Sequence, residues 1–87
     1  MTYKEFCESI GLNIKFYRQH LHYTQSAMSE KIGMDVRYLS DIERGNKNIT
    51  LKTLYKIANV LNVKPMDLFV FPQNKNRKNN KNSQNFC

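Results

Sequence analysis

The close spacing of residues that start and stop helices between Thr24 and Gly45 constrains the fold of this chain most strongly. Thr24 and Asp35 are residues of the type that caps a helix N-terminus, because their side-chain oxygens accept hydrogen bonds from first-turn amides. Gly33 and Gly45 are typical helix stops, because glycine adopts the left-handed backbone conformation at low cost. This spacing predicts two short helices, at about 25–32 and 36–44.

Apolar residues at helical spacing predict three further helices. Thr2 and Glu5 form the pattern of a capping box. An apolar stripe then predicts a helix over about 3–22, with the members Phe6, Ile10, Ile14, Tyr17 and Leu21. Thr50 caps a fourth helix, whose inward positions are Leu54, Ile57, Ala58 and Leu61. Pro65 stands at the first position of a fifth helix, where its missing amide is harmless. The predicted fold class is all-α with five helices.

The net charge indicates the class of partner. The 87 residues include 14 Lys and Arg against 7 Asp and Glu, a net charge of +7, and they suffice for one small domain. Such a charge favours nucleic acid or an anionic membrane surface. The composition changes at Pro72: residues 1–71 carry +3, whereas residues 72–87 carry four basic and no acidic residues. We expect a folded domain over 1–71 and a disordered basic tail over 72–87.

Several other classes of protein are disfavoured. Cys7 and Cys87 form no CxxC pair, and His20 and His22 do not share a helix face, so we expect no metal and no cofactor. No apolar run approaches the roughly 18 residues of a membrane span, and the N-terminus does not resemble a signal peptide. No serine or cysteine has a recognisable partnered base. These observations favour a cytoplasmic protein that is not an enzyme and does not bind membranes.

The two short helices have the pattern of a DNA-reading motif. Small Ser29 lets the second helix approach the third, and Gly33 turns the chain between them. Leu39 and Ile42 anchor the third helix and leave its opposite side exposed. A helix held in this way fits the DNA major groove, which is about 12 Å wide.

The sequence resembles the phage-repressor/Cro-like helix-turn-helix family of bacterial transcription regulators, which have a lambda-repressor-like fold. The resemblance is carried by GLNIKFYR at 11–18, TQSAMSEKIGMD at 24–35, YLSDIERG at 38–45 and ITLKTLYKIANVLNV at 49–63. Within that family, YLSDIERGNKNITLKTL is most similar to the controller proteins of restriction–modification systems, which are small dimeric regulators.

The resemblance implies roles for individual residues. Arg18 and Glu43 match a structural salt bridge between the first and third helices, and Gln25 matches a phosphate-contacting residue. The positions expected at DNA are Thr24, Gln25, Val36, Arg37, Tyr38, Ser40, Asp41, Arg44, Lys47 and Asn48. His22 departs from the pattern, because the family often has glycine there.

Side-chain chemistry distinguishes the outward residues of the third helix. Arg37 is suited to two hydrogen bonds with guanine, which contribute about 1–3 kcal/mol of discrimination. Val36 offers only an apolar contact, such as one with a thymine methyl. Asp41 has two possible roles: it accepts from a cytosine amino group, or it repels phosphate and excludes wrong sites.

These inferences lead to the hypothesis of a homodimeric regulator on a pseudo-palindromic operator, with half-sites roughly 34 Å apart. The expected dimer contact is the apolar group Met66, Phe69, Val70 and Phe71. Two alternatives stay open at this point. One is an antitoxin-like protein-interaction module of the same fold, and the other is a nonspecific nucleic-acid binder that depends on the tail.

Overall fold

The computed structural model describes residues 1–71, which form an all-helical domain. Four α-helices precede one 3-10 helix: α1 (Tyr3–His20), α2 (Gln25–Ile32), α3 (Val36–Glu43), α4 (Leu51–Leu61) and the 3-10 helix Pro65–Phe69. This confirms the predicted fold class. The expected tail at 72–87 lies outside the described residues.

Local side-chain hydrogen bonds start all four α-helices where the sequence predicts. The Thr2 and Glu5 pair forms a complete capping box: the Glu5 amide donates to Thr2 Oγ1 (3.1 Å), and the Thr2 amide donates to Glu5 Oε1 (2.8 Å). Thr24, Asp35 and Thr50 each accept from an amide in the first turn of the following helix. Gly33 ends α2 with a φ of 87°, in the left-handed region.

The core lies where the inward faces of all five elements meet. Its buried apolar members are Ile10, Ile14, Met28, Leu39, Ile42, Leu54, Ile57, Ala58, Leu61 and Leu68. The four inward positions predicted for α4 are confirmed. Leu21 was wrongly placed in the stripe of α1: the helix ends at His20, and Leu21 is exposed. His22 then turns the chain with a φ of 62°.

The fifth element is a 3-10 helix, so the prediction of a fifth α-helix is wrong. The segment Pro65–Phe69 has only five residues, too few for a regular α-helical ladder to develop. A tertiary contact also holds this segment: buried Asn13 on α1 donates through Nδ2 to the carbonyl oxygens of Leu68 (2.9 Å) and Val70 (2.5 Å). Leu68, fully buried, anchors the element in the core.

Gly11 allows α1 to lie directly against the C-terminal end of α3. A Cβ atom at this position would approach the carbonyl oxygens of Ile42 and Glu43 to 2.5 Å, closer than real side chains come. The glycine is therefore required by the close packing of two backbones. Within residues 1–71, no helix is both long enough and apolar enough to cross a membrane.

Candidate nucleic-acid interface

Helix α3 presents one anchored side and one exposed side. Leu39, Ile42 and Glu43 are buried. At about 100° per residue, the opposite side forms an arc of roughly 140°. We call this arc the outward face, and its members are Val36, Arg37, Ser40, Asp41 and Arg44. Val36, Arg37 and Arg44 are exposed, whereas Ser40 and Asp41 are half-buried. The structure thus brings together five of the ten positions expected at DNA.

A buried ion pair fixes α3 against α1. Arg18 Nε donates to Glu43 Oε2 at 2.6 Å, and Arg18 Nη2 donates to Glu43 Oε1 at 3.0 Å. The two side chains are only 9% and 3% exposed. Arg18 Nη1 also donates to the Tyr23 carbonyl oxygen (2.8 Å), so the same guanidinium holds the segment that leads into α2. The small stabilisation expected of exposed ion pairs does not apply to this buried geometry.

Gln25 extends this network to the start of α2. Its Nε2 donates to Glu43 Oε1 (3.0 Å), which the Arg18 guanidinium also contacts. The buried Glu43 carboxylate thus orients the Gln25 side chain. Thr24, just before it, is exposed, and its hydroxyl caps α2 by accepting from the Ala27 amide (3.0 Å). The first-turn amides at this helix N-terminus are the kind of group that binds phosphate.

Arg44 is held against its own helix by two residues of the outward face. Its Nη2 donates to Asp41 Oδ1 (2.5 Å), and its Nη1 donates to Ser40 Oγ (3.1 Å). Arg44 is 61% exposed and Asp41 30% exposed, so solvent still reaches both. In this geometry the positive charge of Arg44 lies directly beside a negative charge.

The remaining expected positions lie outside the outward face. Tyr38 lies on the other side of α3, where it is half-buried and packs against the core. Lys47 and Asn48 are exposed in the loop that joins α3 and α4. Asn48 is tied to the start of α1, because the Tyr3 hydroxyl donates to its Oδ1 (2.8 Å).

An open groove runs beside the outward face and includes a residue that sequence reasoning missed. Its lining includes Lys15 of α1, Gln25 of α2, Ser40 of α3 and Arg44, which directly follows α3. Lys15 and Arg44 place two positive charges on this groove, and Glu8 and Glu43, which also line it, place two negative charges there. The groove is therefore mixed in charge. Lys15 carries no motif signal of its own, since only the packing of α1 against α3 brings it there. Within residues 1–71, no three His, Cys, Asp or Glu side chains are arranged to hold a metal ion.

Comparisons with known proteins agree with this geometry. A family model described as helix-turn-helix matches residues 14–68. An uncharacterized HTH-type transcriptional regulator of Archaeoglobus fulgidus is 35% identical over 60 residues, which cover 69% of this chain and 84% of the relative.

Two solved structures show the same fold. The restriction–modification controller protein C.AhdI of Aeromonas hydrophila superposes with a TM-score of 0.71 and 27% identity, covering 72% of this chain and 96% of the controller. SinR, the master regulator for biofilm formation, solved in complex with DNA, has a TM-score of 0.67 and 39% identity, covering 70% of this chain and 98% of SinR. This chain belongs to the helix-turn-helix family of DNA-binding transcriptional regulators.

Proposed function

We propose that this regulator binds one pseudo-palindromic operator as a homodimer, with α3 of each subunit in the major groove. The observation that carries the proposal is the outward face of α3, held rigidly by the buried Arg18–Glu43 pair. Rigid positioning matters because base readout requires each hydrogen-bonding group to meet a base edge at short range. Arg37 is the residue best suited to guanine. Val36 is suited to a thymine methyl.

Contacts with the DNA backbone fix the position of α3. We assign this role to Thr24 and Gln25 at the start of α2, and to Lys47 and Asn48 in the loop after α3. Tyr38 is assigned to the groove edge. Tyr38 is half-buried, so part of its side chain is accessible for such a contact. The basic residues of 72–87 add general attraction to phosphate. The protein acts in the cytoplasm and catalyses no reaction.

The proposed dimer contact uses the apolar surface around the 3-10 helix. Met66, Phe69 and Val70 are exposed, and Phe71 is half-buried against the core. Phe69 is stacked on Phe6 of α1, with ring centroids 6.1 Å apart and planes 4° apart, so it is held in place before any partner binds. Exposed apolar groups that are already ordered favour association, because little entropy is lost on binding.

The biological role that we propose is control of a restriction–modification system. The similarity to the controller C.AhdI supports this role, since it extends over 96% of that protein.

Selection of bound DNA from a random duplex pool tests the operator. We expect one enriched motif with two related half-sites, centred about 10 base pairs apart. Failure to enrich any motif would contradict sequence-specific binding, and an enriched single half-site would contradict the dimer.

Sedimentation tests the dimer contact separately. Wild-type protein should sediment as a dimer at micromolar concentration, and Phe69→Glu should shift it to monomer. Leu51→Glu is the matched control, because Leu51 is also an exposed apolar residue but lies at the start of α4. Equal effects of the two substitutions would place the contact elsewhere.

A further inference from the structure

The contact between Asp41 and Arg44 bears on how this protein discriminates between its operator and nonspecific DNA. Arg44 is the only arginine besides Arg37 on the outward face of α3. An arginine so placed binds phosphate at any sequence, which raises affinity without discrimination. Here, however, two neighbours on α3 already hold its guanidinium, Asp41 at 2.5 Å and Ser40 at 3.1 Å.

We propose that Asp41 is a specificity-determining residue that withholds Arg44 from DNA until a matching base is present. The proposal rests on the DNA-binding function proposed above and assigns a regulatory role within the same site.

In the major groove, the Asp41 carboxylate would meet the edges of the bases. A carboxylate only accepts hydrogen bonds, so its partner must be a base amino group, on cytosine or adenine. Guanine and thymine present acceptors at the equivalent positions, and these repel it. At a matching base, the amino group becomes the partner of Asp41, and Arg44 is released to a phosphate. Where guanine or thymine faces Asp41, its partner remains Arg44, and the ion pair between them is kept.

The exposure of the pair makes such an exchange feasible. Both side chains remain in contact with solvent, so neither is locked by burial as Arg18 and Glu43 are. An exposed ion pair within one helix contributes little to stability and is easily replaced by a competing partner. The Asp41–Arg44 pair therefore favours the position of Arg44 beside Asp41, and a competing base amino group or phosphate can still replace it.

Binding to random duplex and to the selected operator tests this proposal on the full-length protein. We expect Asp41→Asn to raise affinity for random DNA about fivefold at ~0.1 M salt, and to steepen the salt dependence by about one unit. Affinity for the operator should rise by less than twofold or fall, so that the specificity ratio drops. Glu30→Gln is the control for the change in net charge, since Glu30 is an exposed carboxylate on α2. It should leave the ratio unchanged.

A double substitution tests whether the effect passes through Arg44. In an Arg44→Ala background, Asp41→Asn should change random-DNA affinity by less than twofold. An undiminished effect there, or the same ratio for Asp41→Asn and Glu30→Gln, would overturn the proposal. If wild-type protein itself prefers no sequence, the proposed function fails, and this inference fails with it. If the wild type discriminates and Asp41→Asn keeps the wild-type ratio, this inference alone fails.

Discussion

Arg18 of α1 and Glu43 of α3 form a two-point ion pair, with nitrogen–oxygen distances of 2.6 and 3.0 Å and almost no exposure to solvent. The pair links the longest helix to the end of the helix that we propose reads DNA. Because Gln25 of α2 donates to the same carboxylate, one buried group fixes the relative position of three helices. The position of the proposed DNA-binding face of α3 therefore depends on the buried Glu43 carboxylate.

Removing one partner of this pair should destabilise the fold strongly. We expect Glu43→Leu to lower the free energy of unfolding by about 3–5 kcal/mol, because it leaves the buried Arg18 guanidinium without its counter-charge. Replacing both partners, as Arg18→Met with Glu43→Leu, should cost less than the single change. Urea unfolding measures both. A loss below about 1 kcal/mol in the single variant would mean that the pair behaves as an exposed one.

Gly11→Ala should force α1 and α3 apart. The new Cβ would lie 2.5 Å from two backbone carbonyl oxygens, which cannot move as a flexible side chain can. We expect a loss of about 2 kcal/mol or more in unfolding free energy. Gly33→Ala is a useful comparison, because its Cβ meets nothing within 4 Å and the cost there is only that of a φ of 87°. Because only the Gly11 substitution displaces α3 from α1, we expect Gly11→Ala to lower the DNA affinity of the folded protein more than Gly33→Ala does.

His22→Gly should stabilise the protein. His22 has a φ of 62°, a conformation that costs an ordinary residue about 1–2 kcal/mol and glycine almost nothing. Part of this gain is lost to the greater entropy of glycine in the unfolded chain, which leaves about 0.5 kcal/mol. A thermal unfolding midpoint at or below that of the wild type would show that the His22 side chain makes a compensating contact.

Glu5 should make stability depend on pH in the acid range. The Thr2 amide, which donates to the Glu5 carboxylate, holds the pKa of Glu5 below its usual value. A lowered pKa in the folded state gives stability that is fully present above the unfolded-state pKa of about 4.3, and that disappears as pH falls through the folded-state pKa. Glu5→Gln should therefore flatten the acid side of the stability profile and leave its slope near pH 7 unchanged. An unaltered acid side would contradict the assignment.

Elements set by local chemistry could be predicted from the sequence. Thr2, Thr24, Asp35 and Thr50 start helices because each cap is a contact between residues two or three positions apart. The left-handed turn at Gly33 is likewise a property of one residue. The outward face of α3 followed from the inward positions of Leu39 and Ile42, because helical periodicity places the remaining residues opposite.

Features set by contacts distant in sequence could not be predicted. The 3-10 helix depends on Asn13, which lies 55 residues from one of its two carbonyl partners and gave no signal in the pattern. Lys15 reaches the groove only because α1 packs on α3. The contact of Arg44 with Asp41 is short-range. A spacing of three residues alone, however, does not predict whether an exposed arginine forms an ion pair with its neighbour or is hydrated by solvent.

Arg37→Ala tests whether the outward face of α3 reads bases. Affinities of the wild type and the variant for the selected operator and for a random duplex should be measured at one salt concentration. We predict a loss of about 1–3 kcal/mol at the operator and almost none on random DNA, because a guanine contact contributes only where guanine is present. Equal losses on both duplexes, or no loss on either, would contradict base reading by this face.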